Sequence, residues 1–338
     1  MRFPLALSRS LGIYLLRKRL SGQKRFALVL MLEPLFACNL RCAGCGRIRE
    51  YAEAMDRRLE IDQCLAAVDE CGAPVVSLCG GEPLLYPRIE HLVAQILARG
   101  KHIYLCTNGV LLSRMVPRLR PSSRLWINVH LDGMETTHDR LVGQPGVFQQ
   151  AAAGIQAAKR AGFRVCTNTT IYRHTDIHEI AVLWEYLTFL GVDGFLIAPA
   201  YGYEAVHQAD PNAERFFLTR HEVHRRFRQA RSMLKRFRLM ASPIYLEYLC
   251  GERDLTCAAW ANPTYNPCGW KGPCYLITDR HHRSFAELVE STDWNRLGPG
   301  RDPRCEHCLM HCGFEPAAVL AAQHRLRDAL AMAAWQMG

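Results

Sequence analysis

The sequence predicts an α/β fold: a partial (β/α)6 barrel followed by a cysteine-rich C-terminal extension. Three observations carry this. Six short apolar runs alternate with amphipathic stretches between residues 27 and 200, the pattern of parallel strands joined by right-handed crossovers. Six units fall short of the eight of a complete barrel. From Tyr201 the alternation stops, and seven cysteines crowd into 249–314 amid Gly, Pro and Trp. The chain thus divides into an N-terminal basic amphipathic helix (1–26), the barrel (27–200) and the extension (201–338).

Each element has its own signal. Strands are expected at 28–32, 74–79, 102–107, 125–131, 164–170 and 194–198, most of them ending at turn residues. Helices are expected at 60–71, 88–99, 111–119, 147–161 and 176–190, with Gly100, Gly162 and Gly191 as stops. Beyond the barrel, 201–217 reads as a polar loop. Thr219 with Glu222 three residues on starts a very basic helix over 219–237. An Ala-rich helix over 317–337 closes the chain. The notable polar residues Glu82, Asn108, Asp132 and Asn168 fall at strand ends, where barrel chemistry sits.

Composition narrows the setting. Fifteen cysteines in 338 residues with no secretory signal favour metal binding in a reducing cytosol over disulfides. No stretch is long and apolar enough to span a bilayer. The net charge of +10 suits anionic lipid, an acidic partner protein or nucleic acid. No RNA-binding signature accompanies it, so nucleic acid is the weakest of the three. At the N-terminus Leu7, Leu11, Tyr14 and Leu15 recur at helical spacing ahead of Arg17, Lys18 and Arg19. That helix either rests on a membrane surface or caps a barrel end. A cytoplasmic protein is expected, free or peripheral on the inner membrane face.

The chemistry centres on Cys38-Asn39-Leu40-Arg41-Cys42-Ala43-Gly44-Cys45, which reads C-x-x-x-C-x-x-C. Three thiolates in one loop hold three corners of an iron–sulfur cube. An ordinary 4Fe–4S cluster wants four protein ligands, so three leave one iron open. An open iron binds the amino and carboxylate groups of S-adenosylmethionine (SAM) and passes an electron to its sulfonium. The alternatives are a zinc site or unrelated thiols, but zinc knuckles want two further ligands nearby, and no cysteine follows until Cys64.

The spacing resembles the radical SAM superfamily. So does Gly80-Gly81-Glu82-Pro83 at the next strand end, a backbone edge without side chains that can approach the methionine amino group. In that superfamily polar groups at later strand ends touch ribose and adenine, which the resemblance carries to Asn108, Asp132 and Asn168. The barrel is therefore expected to be a radical SAM barrel holding a 4Fe–4S cluster on Cys38, Cys42 and Cys45, with SAM as fourth ligand.

The resemblance extends to the adenosylhopane synthases, radical SAM enzymes of hopanoid biosynthesis. It rests on Leu32-Glu33-Pro34-Leu35-Phe36, Cys42-Ala43-Gly44-Cys45-Gly46, Tyr104-Leu105-Cys106-Thr107-Asn108 and His130-Leu131-Asp132-Gly133. Gly269-Trp270, Pro273-Cys274-Tyr275-Leu276, Thr292-Asp293-Trp294 and Cys305…Cys308…His311-Cys312-Gly313 carry it into the extension. The run Arg47-Ile48-Arg49-Glu50-Tyr51 departs from the pattern. The implied reaction adds the 5′-deoxyadenosyl radical of SAM to the terminal alkene of diploptene (hopene), giving adenosylhopane. Implied partners are that triterpene and a reductant protein such as flavodoxin or ferredoxin. The competing reading is a peptide-modifying radical SAM enzyme with an auxiliary cluster. That enzyme needs a leader-recognition domain, and the stretch 1–23 is too short for one.

Two further expectations concern cysteines. Radical addition to an isopropenyl terminus leaves an unpaired electron on a tertiary carbon, and a saturated product needs one more hydrogen atom. Cys106 shares a strand face with Asn108 and is the predicted donor, with Cys166 as its rival. Cys79, beside the SAM-binding glycines, would quench too early. Cys305, Cys308 and Cys312, with Cys274 or Cys257 as a fourth ligand, have spacing fit for a second metal centre. An iron–sulfur cluster, a structural zinc and free thiols all remain open there.

Overall fold

This computed structural model describes residues 5–337; residues 1–4 of the N-terminal segment lie outside them. β1 (Val29–Leu32), β2 (Val75–Leu78), β3 (His102–Thr107), β4 (Leu125–His130), β5 (Arg164–Ile171) and β6 (Gly194–Pro199) lie side by side in sequence order, all parallel. All six expected strands are present, each end within one residue of its expected place.

The helices between them form where capping and periodicity indicate. Helix Ile61–Cys71 starts with a reciprocal Glu60–Gln63 capping box and ends at Gly72, whose φ of 65° is left-handed. Helix Ile177–Phe189 is capped by Asp176, which accepts from the His178 amide at 2.8 Å. The expected helix over 111–119 is instead a short α turn, Leu112–Met115, running into a 3-10 turn, Val116–Arg118. Pro117 explains the break, since it supplies no amide to an α-helix interior. An unforeseen helix, Glu135–Val142, precedes helix Val147–Arg160.

Strand alternation gives the sheet two unlike faces. Leu30, Leu32, Val76, Leu78, Ile103, Leu105, Ile127, Val129 and Val165 belong to one continuous apolar core with the helices. The opposite parity carries Ser77, Tyr104, Cys106, Trp126, Asn128, Cys166 and Asn168. Register aligns these in rows: Cys106 stands beside Asn128, and Asn128 beside Cys166. Tyr104 stacks on Trp126 one row below, with ring centroids 6.2 Å apart. One face is therefore a packed core and the other a lined interior.

The extension finishes the sheet at both edges. β7 (Thr264–Asn266) pairs parallel with β1, and β8 (Gly269–Pro273) and β9 (Thr278–His282) continue antiparallel, making nine strands. On the far side Leu239 bridges Phe195 of β6, and the Met240 amide donates to the Phe195 carbonyl at 2.8 Å. Two other expectations need correction. The stretch 201–217 is no bare loop: it holds helix Glu204–Ala209 and buries Val206, Ala213 and Phe217. The final helix is two, His311–Ala321 and Leu326–Met337. The second is anchored by buried Asp328, which pairs with Arg253 at 2.7 and 2.8 Å. Among the described residues no helix is long and apolar enough to cross a membrane.

Candidate active site at the cysteine loop

The loop from Glu33 to Gly46 crosses the carboxyl end of β1 and carries Cys38, Cys42 and Cys45, all half-buried. Its shape is set from several sides. The Leu40 amide donates to the Cys38 sulfur at 3.4 Å. Arg49 Nη1 donates to the Cys42 carbonyl at 3.1 Å and the Cys45 carbonyl at 2.6 Å. Ala43 donates to the Leu141 carbonyl at 2.9 Å, which gives the unforeseen helix Glu135–Val142 its part in the site. Burial pushes the Cys38 thiol up to about 11, opposed by the Leu40 amide. Burial, with Cys45 and Cys38 nearby, raises Cys42 as well. A bound metal is what holds such buried sulfurs as thiolates, and an all-thiol set of three in one loop fits three corners of a 4Fe–4S cluster.

Gly80 and Gly81 lie against this loop. Gly80 has φ +112°, and a Cβ on it would stand 2.6 Å from the Leu35 carbonyl oxygen. A Cβ on Gly81 would fall among the carbonyls of Phe36 and Ala37. The Gly81 amide donates to Leu35 at 3.2 Å and the Glu82 amide to Ala37 at 2.8 Å. These glycines therefore let two loops join backbone to backbone, a need that the sequence reading had assigned to the ligand alone.

The remaining strand-end residues are drawn together by hydrogen bonds. Glu82, 1% exposed, accepts from the Leu84 amide at 3.0 Å, Thr107 Oγ1 at 2.7 Å and the Asn108 amide at 2.8 Å. Pro83 opens the short turn Pro83–Leu85 behind it. Asn108 reaches back to the cysteine loop through Asn39, Nδ2 to Oδ1 at 2.8 Å. Asp132 is buried, accepts from the Thr170 amide at 2.7 Å and pairs with His130 Nε2 at 2.8 Å. Burial alone would lower His130; the Asp132 carboxylate turns it upward. Asn168 stands next to His130 in register, half-buried and with no side-chain partner among the described residues. It is the freest of the group to meet a ligand.

Inside the barrel Asn128 separates two thiols. Its Nδ2 donates to Cys106 Sγ at 3.6 Å, and its Oδ1 accepts from Cys166 Sγ at 3.5 Å. Ser77 Oγ lies 3.4 Å from Cys106 on the other side. Cys106 is partly accessible, whereas Cys79 and Cys166 are buried.

Sequence reasoning missed three residues. Tyr172 and Tyr203 lie where side chains on Gly44 and Gly46 would strike their rings, so the small residues between the cysteines were the available signal. Arg47 is the third, and it sits in the run that departs from the family pattern. It is 5% exposed and pairs with fully buried Glu33 at 3.1 Å and Glu50 at 2.8 Å. It also donates to the Tyr275 carbonyl and stacks on that ring, 4.3 Å from its centroid. Buried Lys271 completes the group through Glu50 at 3.0 Å.

Two outcomes follow from these contacts. Arg47→Ala leaves Glu33 charged and unpaired in the interior, and should cost about 3–5 kcal/mol in denaturant unfolding. Arg47→Met with Glu33→Gln should recover most of that, and a double variant no better than the single would refute the pairing. Burial pushes Glu82 up to about 7 against its three donors. Its contribution to stability is thus complete below the unfolded carboxyl value and is lost as pH rises through about 7. Glu82→Gln should flatten stability against pH over that window; parallel curves for the two proteins would count against it.

Residues 32–187 match the profile described as the radical SAM superfamily, and 195–332 match a domain of unknown function, DUF3463. The chain is 33% identical over 159 residues to the AdoMet-dependent heme synthase of Methanosarcina barkeri (strain Fusaro / DSM 804), 46% of this chain and 45% of that one. It is 34% identical over 173 residues to the GTP 3′,8-cyclase of Xanthomonas axonopodis pv. citri (strain 306), 48% of this chain and 52% of that one. It thus spans about half the length of these curated relatives. In fold it is similar to Streptococcus suis SuiB bound to the precursor peptide SuiA, with a TM-score of 0.63 at 14% identity, covering 86% of this chain and 72% of that one. The expected fold is borne out: residues 32–187 form a radical SAM domain.

Proposed function

We propose that this radical SAM enzyme joins the adenosyl group of SAM to a terminal alkene of a triterpene, diploptene, giving adenosylhopane. The observation that carries the reading is a partly accessible thiol, Cys106, one strand over from Gly80-Gly81 on the interior face. Addition to an alkene leaves a carbon radical that still needs one hydrogen atom, and a thiol at that place can give it. The near end-to-end resemblance of the sequence to adenosylhopane synthases supplies the substrate.

Cys38, Cys42 and Cys45 would hold a 4Fe–4S cluster, which when bound with SAM supplies the electron that releases the 5′-deoxyadenosyl radical. Asn108, Asp132 and Asn168 would orient the nucleoside, with Gly80, Gly81, Glu82 and Pro83 beneath its methionine end. C5′ bonds to the terminal alkene carbon, and the remaining π electron stays on the tertiary carbon. Cys106 then gives that carbon the hydrogen atom of its S–H bond. One electron and one proton from a one-electron carrier protein return the sulfur to the thiol. Cys166 is fully buried behind Asn128, which supports Cys106 over its rival.

A lipid substrate also suits the outer surface of helix Leu5–Leu20. Leu7, Leu11, Tyr14 and Leu15 pack toward the protein, yet Ile13, Leu16 and Leu20 are 47%, 57% and 78% exposed on the opposite side. Seven basic residues and no acidic one precede Glu33. Such a face fits the surface of an anionic membrane.

Anaerobic incubation with SAM, a reductant and diploptene should yield a product of adenosylhopane mass. Ala at Cys38, Cys42 or Cys45 should abolish both cluster absorbance and SAM cleavage. Cys106→Ala should still cleave SAM while the saturated adduct falls by about tenfold or more; undiminished adduct removes Cys106 from the mechanism. The helix is tested apart from turnover. Ile13→Glu/Leu16→Glu/Leu20→Glu should lose sedimentation with phosphatidylglycerol vesicles and keep SAM cleavage in solution. Equal sedimentation of both proteins would sink the membrane reading.

A further inference from the structure

The sequence left a choice between Cys257 and Cys274 beside Cys305, Cys308 and Cys312. The fold brings all five together around one cavity of about 30 Å³. They arrive from four separate places: Cys257 before the turn Ala259–Ala261, Cys274 just after β8, Cys305 and Cys308 in and after the turn Pro303–Cys305, and Cys312 in the first turn of helix His311–Ala321. We infer that four of these five thiols hold a second metal centre, an iron–sulfur cluster bound by the C-terminal extension, with the fifth standing beside it. The inference stands whether or not the substrate is a hopene.

The surroundings are shaped for sulfur. A Cβ on Gly313 would stand 2.6 Å from Cys257 Sγ, so the glycine clears room for that atom. The Ala258 amide donates to the Gly313 carbonyl at 3.0 Å, which fixes Cys257 beside helix His311–Ala321. The Tyr201 hydroxyl beside these thiols donates away to the Arg304 carbonyl at 3.1 Å. By contrast Cys64 and Cys250 sit singly in the apolar core, as free cysteines usually do.

The choice of iron–sulfur over zinc rests on what lies next to the site. Cys274 is followed by Tyr275, whose ring stacks on Arg47, and Arg47 is two residues beyond Cys45. The two cysteine sets are therefore joined through a single buried contact. A redox centre placed there has a short route to the first cluster, whereas zinc has no redox chemistry.

The test uses full-length chain prepared anaerobically with iron and sulfide. Cys38→Ala/Cys42→Ala/Cys45→Ala should retain iron and sulfide, on the order of four of each for a cubane cluster, with thiolate-to-iron absorbance and a reduced-state paramagnetic signal. Cys305→Ser/Cys308→Ser/Cys312→Ser should lose roughly that amount while keeping the first site's SAM cleavage or cluster spectrum. Cys257→Ser in the background lacking the first site should alter the remaining signal or remove it. A folded Cys38→Ala/Cys42→Ala/Cys45→Ala protein that holds no metal, or holds zinc alone, would overturn the inference. If the triple Ser variant does not fold, the first variant decides alone.

Discussion

The pairing of Arg47 with Glu33 is the contact on which the rest of the site depends. Glu33 follows β1 directly and begins the cysteine loop, while Arg47 stands just past its last cysteine. A carboxylate with no exposure must keep its partner, so the two ends of the loop are held at a fixed separation. The guanidinium then reaches outward to Tyr275 and Glu50, and Glu50 to Lys271 and Thr278. Cofactor loop, barrel strand and extension thus share one electrostatic group. Burial lowers Lys271 to about 8, with Arg47 adding to the effect and Glu50 opposing it. Its charge is retained near neutrality because a carboxylate lies within reach.

The interior shows a second organising device. Polar residues on one strand parity stand at successive heights, from the stacked Tyr104–Trp126 pair, through Cys106, Asn128 and Cys166, to His130 and Asn168. Apolar packing at the base gives way to thiols and amides, then to ionisable groups near the mouth. A long apolar molecule and a charged nucleotide want opposite ends of such a gradient.

Much of this was legible from the chain alone. Strand and helix periods gave the barrel because each unit is local: β-rich runs, glycine stops and caps such as Glu60 and Asp176 act within a few residues. The cysteine spacing and Gly80-Gly81 pointed to the site for the same reason. What stayed hidden depends on distant partners. β7 to β9 are short and rich in Gly, Pro and polar residues, and form because β1 offers an open edge. The run beginning at Arg47 looked like a departure, and its burial follows from Tyr275 and Lys271, more than two hundred residues away. Glu82 read as a ligand contact from its motif, while its carboxylate is engaged by the end of β3. The anchoring of the last helix depends on Arg253, 75 residues away, which no local composition marks.

The extension closes the sheet at both edges, one through Leu239 beside β6 and the other through β7 beside β1. Asn266 meets Glu33 across 233 residues of chain. During synthesis, which runs from the N-terminus, every barrel strand has emerged before either flank can be covered. The cysteine loop therefore exists for a time without its Tyr275 and Lys271 neighbours, its ion pair still open to water. Completion of the last third of the chain is what takes that pair out of water.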